Sequence, residues 1–171
     1  VCDTHDNVLF FTERGRVFQS RAFDLPDAKR QAKGIPLVNV IDCEPGEQVT
    51  ALVTIRDYDR DFMVMATASG EVKKTPLADF KEVRRNGKIA MDLEKDDEFV
   101  AAKLCHDDDE IVMITSNGQA IRFRVSELRS ASRTSGGVRG IRLAPGGKVV
   151  SLEVVTPGHE LLSITENGYG K

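Results

Sequence analysis

The sequence is poor in the residues that mark disulfide scaffolds, membrane spans and aromatic recognition surfaces. Its 171 residues include no tryptophan, 6% aromatic side chains and only three cysteines, Cys2, Cys43 and Cys105, which are widely separated and form no CxxC pair. No apolar run approaches the roughly 18 residues that cross a bilayer, and the N-terminus has no basic-then-apolar signal pattern. These absences argue against a disulfide-rich or membrane protein and favour the cytoplasm.

Signatures of catalysis and metal binding are equally scarce. The three histidines, His5, His106 and His159, fall in polar segments. None belongs to a Ser/His/Asp or Cys/His grouping with the sequence signature of a catalytic site. The acidic run 107–110 lacks the spaced oxygen ligands and the fixed glycine of a calcium loop. The glycine-rich run 136–140 is not followed by the lysine-serine pair of a nucleotide loop. We therefore expect no catalytic residue, no metal site and no cofactor in this chain.

What the sequence does contain is an internal repeat with a period close to 50 residues. One marker is a turn glycine, at Gly15, Gly70, Gly118 and Gly168. A second is a glycine that opens a later strand, at Gly34, Gly87 and Gly137. A third is a short apolar run, at Val49–Leu52, Val100–Ala102 and Val149–Leu152. These markers divide the chain into units of about 3–56, 57–106 and 107–157, with the start of another at 158–171.

Each unit is predicted to form four short strands. In the third unit an apolar run meets an Asn-Gly pair that is typical of β-hairpins, and apolar residues then alternate with Arg122 and Arg124. The strands expected in the first two units are Val8–Thr12, Arg16–Phe23, Leu37–Ile41, Gln48–Ile55, Phe62–Thr67, Val72–Thr75, Ile89–Leu93 and Phe99–Leu104. Further strands are expected at Ile111–Thr115, Ile141–Leu143 and Leu161–Thr165, and helical turns at Leu25–Lys29 and Leu77–Phe80. The pattern predicts one all-β, propeller-like array of about three four-stranded blades plus the first hairpin of a fourth.

The net charge of −3 conceals a strong segregation of charge along the chain. Residues 14–34, 73–88 and 119–142 carry +4, +4 and +5, which leaves −16 for the rest. Each basic window falls at the same place in its unit, so stacked units would align the windows as a curved positive track. Such a track suits the phosphate backbone of duplex DNA. The candidate DNA-binding residues are Arg14, Arg16, Arg21, Arg30, Lys33, Lys73, Lys74, Arg84, Arg85, Lys88, Arg122, Arg124, Arg133, Arg139 and Arg142.

The repeat and the charge leave two functions open. The first is sequence-independent binding of duplex DNA, because aromatic residues are few in these windows and no recognition helix is evident. The second is a protein-interaction propeller whose arginines face acidic partners. The two differ in the salt dependence of binding, which is steep for a phosphate backbone.

Several segments carry a resemblance to a known family: VLFFTERGRVF, KGIPLVNVI, MATASGEVKKTPLADF, TSGGVRGIRLAPGGKVVSL and ITENGYGK. Together they span essentially the whole chain, which resembles the C-terminal domain of the DNA gyrase A subunit. The resemblance implies a β-pinwheel, in which neighbouring four-stranded blades exchange outer strands. It also implies that the domain binds and bends or wraps duplex DNA on a basic outer surface. The C-terminal domain of topoisomerase IV is the alternative within the same type II topoisomerase family.

The resemblance also implies what surrounds this chain. The parent would be a bacterial, ATP-dependent topoisomerase that introduces negative supercoils, and its partners would be a breakage-reunion domain and an ATPase subunit. The catalytic tyrosine and the ATPase lie outside the resembling domain, so this chain itself is expected not to be an enzyme. The family's glutamine-arginine-arginine-glycine-glycine-lysine-glycine box is absent, and Ala28–Gly34 stands in its place. We therefore interpret the chain as roughly blades two to four plus the first hairpin of the next. Open edges of these blades are expected to allow self-association.

Overall fold

The regular structure of the chain is almost entirely antiparallel β-sheet. The computed structural model describes residues 2–59 and 61–170. Its strands are β1 (Asn7–Thr12), β2 (Arg16–Arg21), β3 (Val49–Ile55), β4 (Phe62–Thr67), β5 (Glu71–Pro76), β6 (Lys88–Ile89), β7 (Phe99–Cys105), β8 (Glu110–Thr115), β9 (Ala120–Arg124), β10 (Val138–Arg139) and β11 (Val149–Val155). Short 3-10 helices lie at Ala22–Asp24, Leu37–Asn39, Leu77–Phe80 and Val125–Glu127. Within the described residues, no helix has both the length and the apolar character needed to cross a membrane.

The strands form successive blades that exchange their outermost strands. The sheet orders are β3-β1-β2-β6, β10-β5-β4-β7 and β11-β8-β9. The second unit supplies β6, yet β6 pairs with β2 of the first blade, with Val17 opposite Lys88. The third unit supplies β10, which pairs with β5 of the second blade in the same way, with Val138 opposite Val72. The all-β pinwheel expected from the sequence is therefore confirmed.

Turn glycines permit this exchange. Gly15 and Gly70 have φ angles of +70° and +95°, a conformation that strains any residue with a Cβ. Their carbonyls accept hydrogen bonds from the arriving segments, at 2.7 Å from the Ala90 amide and 2.9 Å from the Gly140 amide. A Cβ at Gly70 would lie 2.9 Å from the Ile141 carbonyl oxygen, so the close approach requires glycine.

The core lies between the blades. Leu9 and Phe11 of β1 pack with Met63 and Met65 of β4 in one buried layer. The Phe11 ring stacks on Phe99, with the ring centroids 5.5 Å apart. Successive side chains of a strand point to opposite faces of the sheet. In the first two blades each face meets either a neighbouring blade or a covering loop. This two-sided burial explains why the strands read as continuous apolar runs. Burying each large apolar side chain contributes about 1.5–3 kcal/mol.

The next layer repeats the arrangement between the second and third blades. Val64 and Ala66, the β4 residues that alternate with those of the first layer, pack with Ile111 and Met113 of β8. The face of the first blade that turns away from the second carries Phe10 and is covered by the chain's own loop. The first and second blades are therefore packed on both faces.

Two expectations in the first unit are wrong. The helical turn expected at Leu25–Lys29 is absent, and a 3-10 helix occupies Ala22–Asp24 instead. Leu25 is extended, with φ −78° and ψ 130°, because a residue before proline avoids the helical region. The strand expected at Leu37–Ile41 is a 3-10 helix over Leu37–Asn39, and this segment packs over Phe10 and Phe18 instead of joining a sheet.

Expected strands in the later units are shorter or displaced. The strand expected at Ile89–Leu93 is found at Lys88–Ile89, and the third unit's strand lies at Val138–Arg139 and not at Ile141–Leu143. Both strands stop where the next amide turns to a glycine carbonyl of the neighbouring blade. The strand expected at Leu161–Thr165 is reduced to one bridge, between Ile164 and Gly170. Its Leu162 and Ile164 are 70% and 66% exposed.

Candidate nucleic-acid interface

The candidate interface is the outer rim, which we define as strands β2, β5 and β9 together with the crossing segments 84–91 and 130–141. The first crossing segment runs over β2, where the Gln19 amide donates to the Arg84 carbonyl at 3.3 Å. The second runs over β5, where the Ala131 amide donates to the Lys74 carbonyl at 2.8 Å. The crossings place the later part of the second basic window, from Arg84 to Lys88, beside the first blade, and the part of the third window from Arg133 to Arg139 beside the second blade.

The three basic windows meet at Ile89. Arg16 of the first window pairs with Ile89 across β2 and β6. The Ile89 carbonyl also accepts a hydrogen bond from the Arg133 guanidinium of the third window. Lys88 and Arg133 line an open groove of about 420 Å³, together with Lys81 and the acidic residues Asp79 and Glu82. One basic residue from each window is therefore close to the same backbone segment.

Lys73 lies inside the blade and not on this surface. It is 2% exposed, and its ammonium donates to the carbonyls of Ala90, Ser132, Arg133 and Ser135 at 2.9, 3.3, 2.8 and 2.7 Å. Burial and the nearby Arg133 guanidinium lower the pKa of Lys73 to about 8. Its placement on an exposed track is corrected, because the third unit's crossing segment covers it.

Lys74 is also withdrawn from solvent, at 5% exposure. Its ammonium pairs with Asp107 at 2.8 Å, donates to the Val125 carbonyl at 3.0 Å and lies 4.8 Å from the centre of the Phe62 ring. These contacts join the second blade to the connection that leads into the third. We therefore leave Lys73 and Lys74 out of the candidate surface.

Several candidate basic residues, the exposed Arg14 and the half-buried Arg16 and Lys88, already pair with carboxylates. Arg14 lies 2.6 Å from Glu44, and Arg16 lies 3.3 Å from Glu44 and 3.2 Å from the buried Glu47. Lys88 lies 3.7 Å from Glu82. A polyanion that approaches these groups competes with the carboxylates, so each contributes less than an unpaired charge.

On β9, both arginines face one acidic residue. Arg122 forms an ion pair with Glu110, and Arg124 lies 4.0 Å from the same carboxylate. The hydrogen bond from Arg122 lowers the pKa of Glu110 below its usual range. The candidate set overlooked Glu110, although the hairpin register counted from Asn117-Gly118 places it directly opposite Arg124. Counting across the hairpin would have found it.

The remaining candidates are mostly unpaired, and all of them except the half-buried Arg133 are exposed. Arg21 donates to the His5 carbonyl at 3.2 Å, and Arg85 pairs with Asp42 at 3.3 Å. Within residues 2–59 and 61–170, no ion pair engages Arg30, Lys33, Arg84, Arg133, Arg139 or Arg142. Lys81, which the candidate set omitted, lines the groove and pairs with Asp59 at 2.9 Å. The unpaired arginines of the two crossing segments are the best placed to meet phosphates.

The other titratable clusters stay apart from the rim. All three histidines are exposed, and His106 lies 2.6 Å from an Asp61 carboxylate oxygen. In the part of the chain that the structure describes, no group of three or more metal-ligating side chains comes together. Burial raises the pKa of the Cys105 thiol to about 12, so this cysteine is a poor nucleophile. The cysteines Cys2, Cys43 and Cys105 are all free.

Sequence comparisons point to one family. Residues 6–56, 61–106, 109–156 and 159–171 match the family model "DNA gyrase C-terminal domain, beta-propeller". The chain is 44% identical over 173 residues to the DNA gyrase A subunit of Dehalogenimonas lykanthroporepellens, a match that covers 100% of this chain and 21% of that protein. It is 43% identical over 172 residues to the DNA gyrase A subunit of Staphylococcus aureus, covering 98% and 19%. The chain thus spans about one fifth of these relatives.

Solved structures agree with the sequence matches. A DNA gyrase A C-terminal domain superposes with a TM-score of 0.84 at 25% identity, covering 99% of this chain and 54% of that one. The C-terminal domain of a DNA topoisomerase IV superposes with a TM-score of 0.80 at 29% identity, covering 91% and 49%. The β-pinwheel architecture is therefore common to this chain and both of these domains.

Proposed function

This chain belongs to the DNA gyrase C-terminal domain family, and on that premise we propose that it binds and bends or wraps duplex DNA along its outer rim without reading base sequence. The observation that carries the proposal is the meeting of the three basic windows at Ile89, through its pairing with Arg16 and its hydrogen bond from Arg133. A continuous basic rim suits a phosphate backbone, whose binding is dominated by lysine and arginine.

The strand exchange supports bending as well as binding. Each crossing segment sets the basic residues of one unit on the neighbouring blade, so the charge follows the rim from blade to blade. The unpaired Arg84 belongs to the first crossing and the unpaired Arg139 to the second. A stiff duplex that contacts both crossings must follow the curvature of the array. Bending a site of 20–30 base pairs costs on the order of 1–6 kcal/mol, which contacts along the rim would offset.

We place this chain as an accessory domain of a larger topoisomerase. The relatives are gyrase A subunits, of which it spans about one fifth. Cutting and ATP hydrolysis would then belong to a breakage-reunion domain and an ATPase subunit in a bacterial cytoplasm. Introduction of negative supercoils would be the activity of that assembly. The 43–44% identity to gyrase A subunits favours gyrase over topoisomerase IV.

A salt titration tests the proposal. Binding of this chain to random-sequence duplexes is measured by fluorescence anisotropy over a range of salt concentrations. We expect log K to fall linearly with log salt, with a slope of about −0.9 for each phosphate contacted. Duplexes rich in A·T and in G·C should bind alike. A flat salt dependence, or a strong preference for one sequence, contradicts backbone binding.

Two variants sharpen the test. Arg139→Ala removes an unpaired charge. It should reduce the magnitude of the salt slope by about one unit, equally for every DNA sequence. Arg122→Ala removes a charge that already pairs with Glu110, so its effect should be uniform but smaller. A change in preferred sequence for either variant would require base contacts.

A further inference from the structure

The Lys73 ammonium joins two units of the repeat through backbone carbonyls alone. The Ala90 carbonyl belongs to the second unit's segment that crosses to the first blade. The carbonyls of Ser132, Arg133 and Ser135 belong to the third unit's segment that crosses β5. All four oxygens lie within 3.3 Å of one nitrogen, which has only three N–H groups. The ammonium is thus shared among four acceptors.

The segment held in this way has few other backbone contacts. Before Val138 it has one isolated bridge, between Ser130 and Lys74. The Ala131 and Ser135 amides donate to the carbonyls of Lys74 and Ser132, and the Asp92 amide donates to the Ser135 carbonyl at 3.1 Å. Hydrogen bonds from an ionised donor are roughly twice as strong as neutral ones. Three of the four Lys73 contacts are therefore strong bonds that fix residues 132–135, beside the one that the Arg133 guanidinium donates to the Ile89 carbonyl.

The equivalent positions in the other blades show that the fold does not require a cation here. Lys73 lies three residues after its turn glycine, and the residues three after Gly15 and Gly118 are Phe18 and Ile121. In the first blade the Phe18 ring packs so closely on the incoming segment that a Cβ at Gly87 would lie 2.5 Å from it. An apolar side chain holds the crossing segment there, whereas a buried charge holds it in the second blade.

What the charge holds is a groove-lining arginine. The Arg133 carbonyl accepts from Lys73 at 2.8 Å, while its guanidinium reaches the Ile89 carbonyl beside Lys88. We propose that Lys73 is a positioning residue for DNA binding, which fixes Arg133 and residues 132–135 on the groove without touching DNA itself. The inference rests on the proposed function, and it assigns a role to a lysine that is shielded from any ligand.

The test compares Lys73→Met, which keeps the length but removes the charge, with Lys103→Met. Lys103 lies on β7 away from the rim and pairs with Glu153 at 2.7 Å, so it serves as the matched control. In Lys73→Met we expect faster hydrogen exchange of the Ala131, Ser135 and Asp92 amides and several-fold weaker binding to random-sequence DNA. In Lys103→Met both should stay at wild-type values. Lys73→Gln retains an N–H donor, so its amide exchange rates and DNA affinity should lie between those of the wild type and Lys73→Met. It replaces Lys73→Met if that variant does not fold.

A double-mutant cycle separates positioning from general loss of structure. In an Arg133→Ala background the loss of DNA affinity caused by Lys73→Met should largely vanish, because the residue that Lys73 positions is gone. An equal loss in both backgrounds overturns the positioning role. Unchanged exchange in Lys73→Met shows that the Lys73 ammonium does not hold residues 132–135, whether or not DNA binds. A wild-type chain that binds no duplex overturns the proposed function, and with it this role, while the exchange data still decide whether Lys73 holds the segment.

Discussion

Strands β5 and β9 occupy the same place in successive blades, yet their basic residues differ in how far they are exposed to solvent. Lys74 and Arg122 both lie four residues after a turn glycine, and both pair with a carboxylate. Lys74 is buried, whereas the Arg122 side chain is 59% exposed. The second blade's sheet includes β10 from the next unit, while the sheet that contains β9 has three strands in the described residues. A basic residue on an outer strand is therefore structural where a neighbouring unit covers it.

The largest effect should come from a substitution at Gly70, the turn glycine beside the place where β10 of the third unit joins β5. Gly70→Ala adds a Cβ 2.9 Å from the Ile141 carbonyl at a φ of +95°, so it strains the backbone and pushes β10 from β5. At Gly118, where φ is +75°, an added Cβ would meet no atom within 4 Å, so Gly118→Ala causes backbone strain without a steric clash. We expect about 1 kcal/mol of destabilisation for Gly118→Ala and roughly 3 kcal/mol for Gly70→Ala. Urea unfolding measures both, and equal losses would show that the close approach is unimportant.

Much of this fold follows from the sequence, because local signals determine it. Apolar runs such as Phe62–Thr67 predict the inner strands, and the 3-10 helix at Leu77–Phe80 lies where a helical turn was expected. The burial of Lys73 and Lys74 could not be predicted in the same way. Their strand, Glu71–Pro76, has two adjacent lysines and Val72 as its one large apolar residue, a composition typical of an exposed strand. The groups that cover Lys73 lie about 60 residues further along the chain. Strand exchange moves the decisive contact outside any local pattern.

An intermediate effect should come from the two equivalent cations themselves. Lys74→Met leaves the Val125 carbonyl and Asp107 without their donor, and a buried group that loses its partner costs about 1–3 kcal/mol. Arg122→Met breaks an exposed ion pair, which is worth about 0–1 kcal/mol. The effects on DNA affinity should have the opposite order, and Arg122→Met should lower the affinity more than Lys74→Met does. Unfolding and anisotropy on the same samples check both, and a larger stability loss for Arg122→Met would undo the contrast between the strands.

The smallest effect concerns the uncovered edge of β9. In the isolated chain its backbone groups on the outer side lack a strand partner within the described residues, and Ile121 is 37% exposed. Open strand edges recruit other chains, so a second copy should pair there at high concentration. The association should be weak, because the exchanged strands β6 and β10 are only two residues long and because Arg122 and Arg124 repel a like-charged copy.

Two measurements check this edge. Light scattering over a tenfold concentration range should show self-association that increases with salt, because salt screens the arginines. Hydrogen exchange at the lowest concentration should be faster for residues 120–124 than for 71–75. The outer side of β5 pairs with β10 and bridges to Ser130, whereas β9 pairs with β8 alone in the described residues. The control is Arg122→Glu, which replaces the ion pair with Glu110 by a pair of like charges and should loosen the hairpin without covering the edge. A chain that stays monomeric at every concentration, with β9 as protected as β5, would mean that the edge is closed by the chain itself.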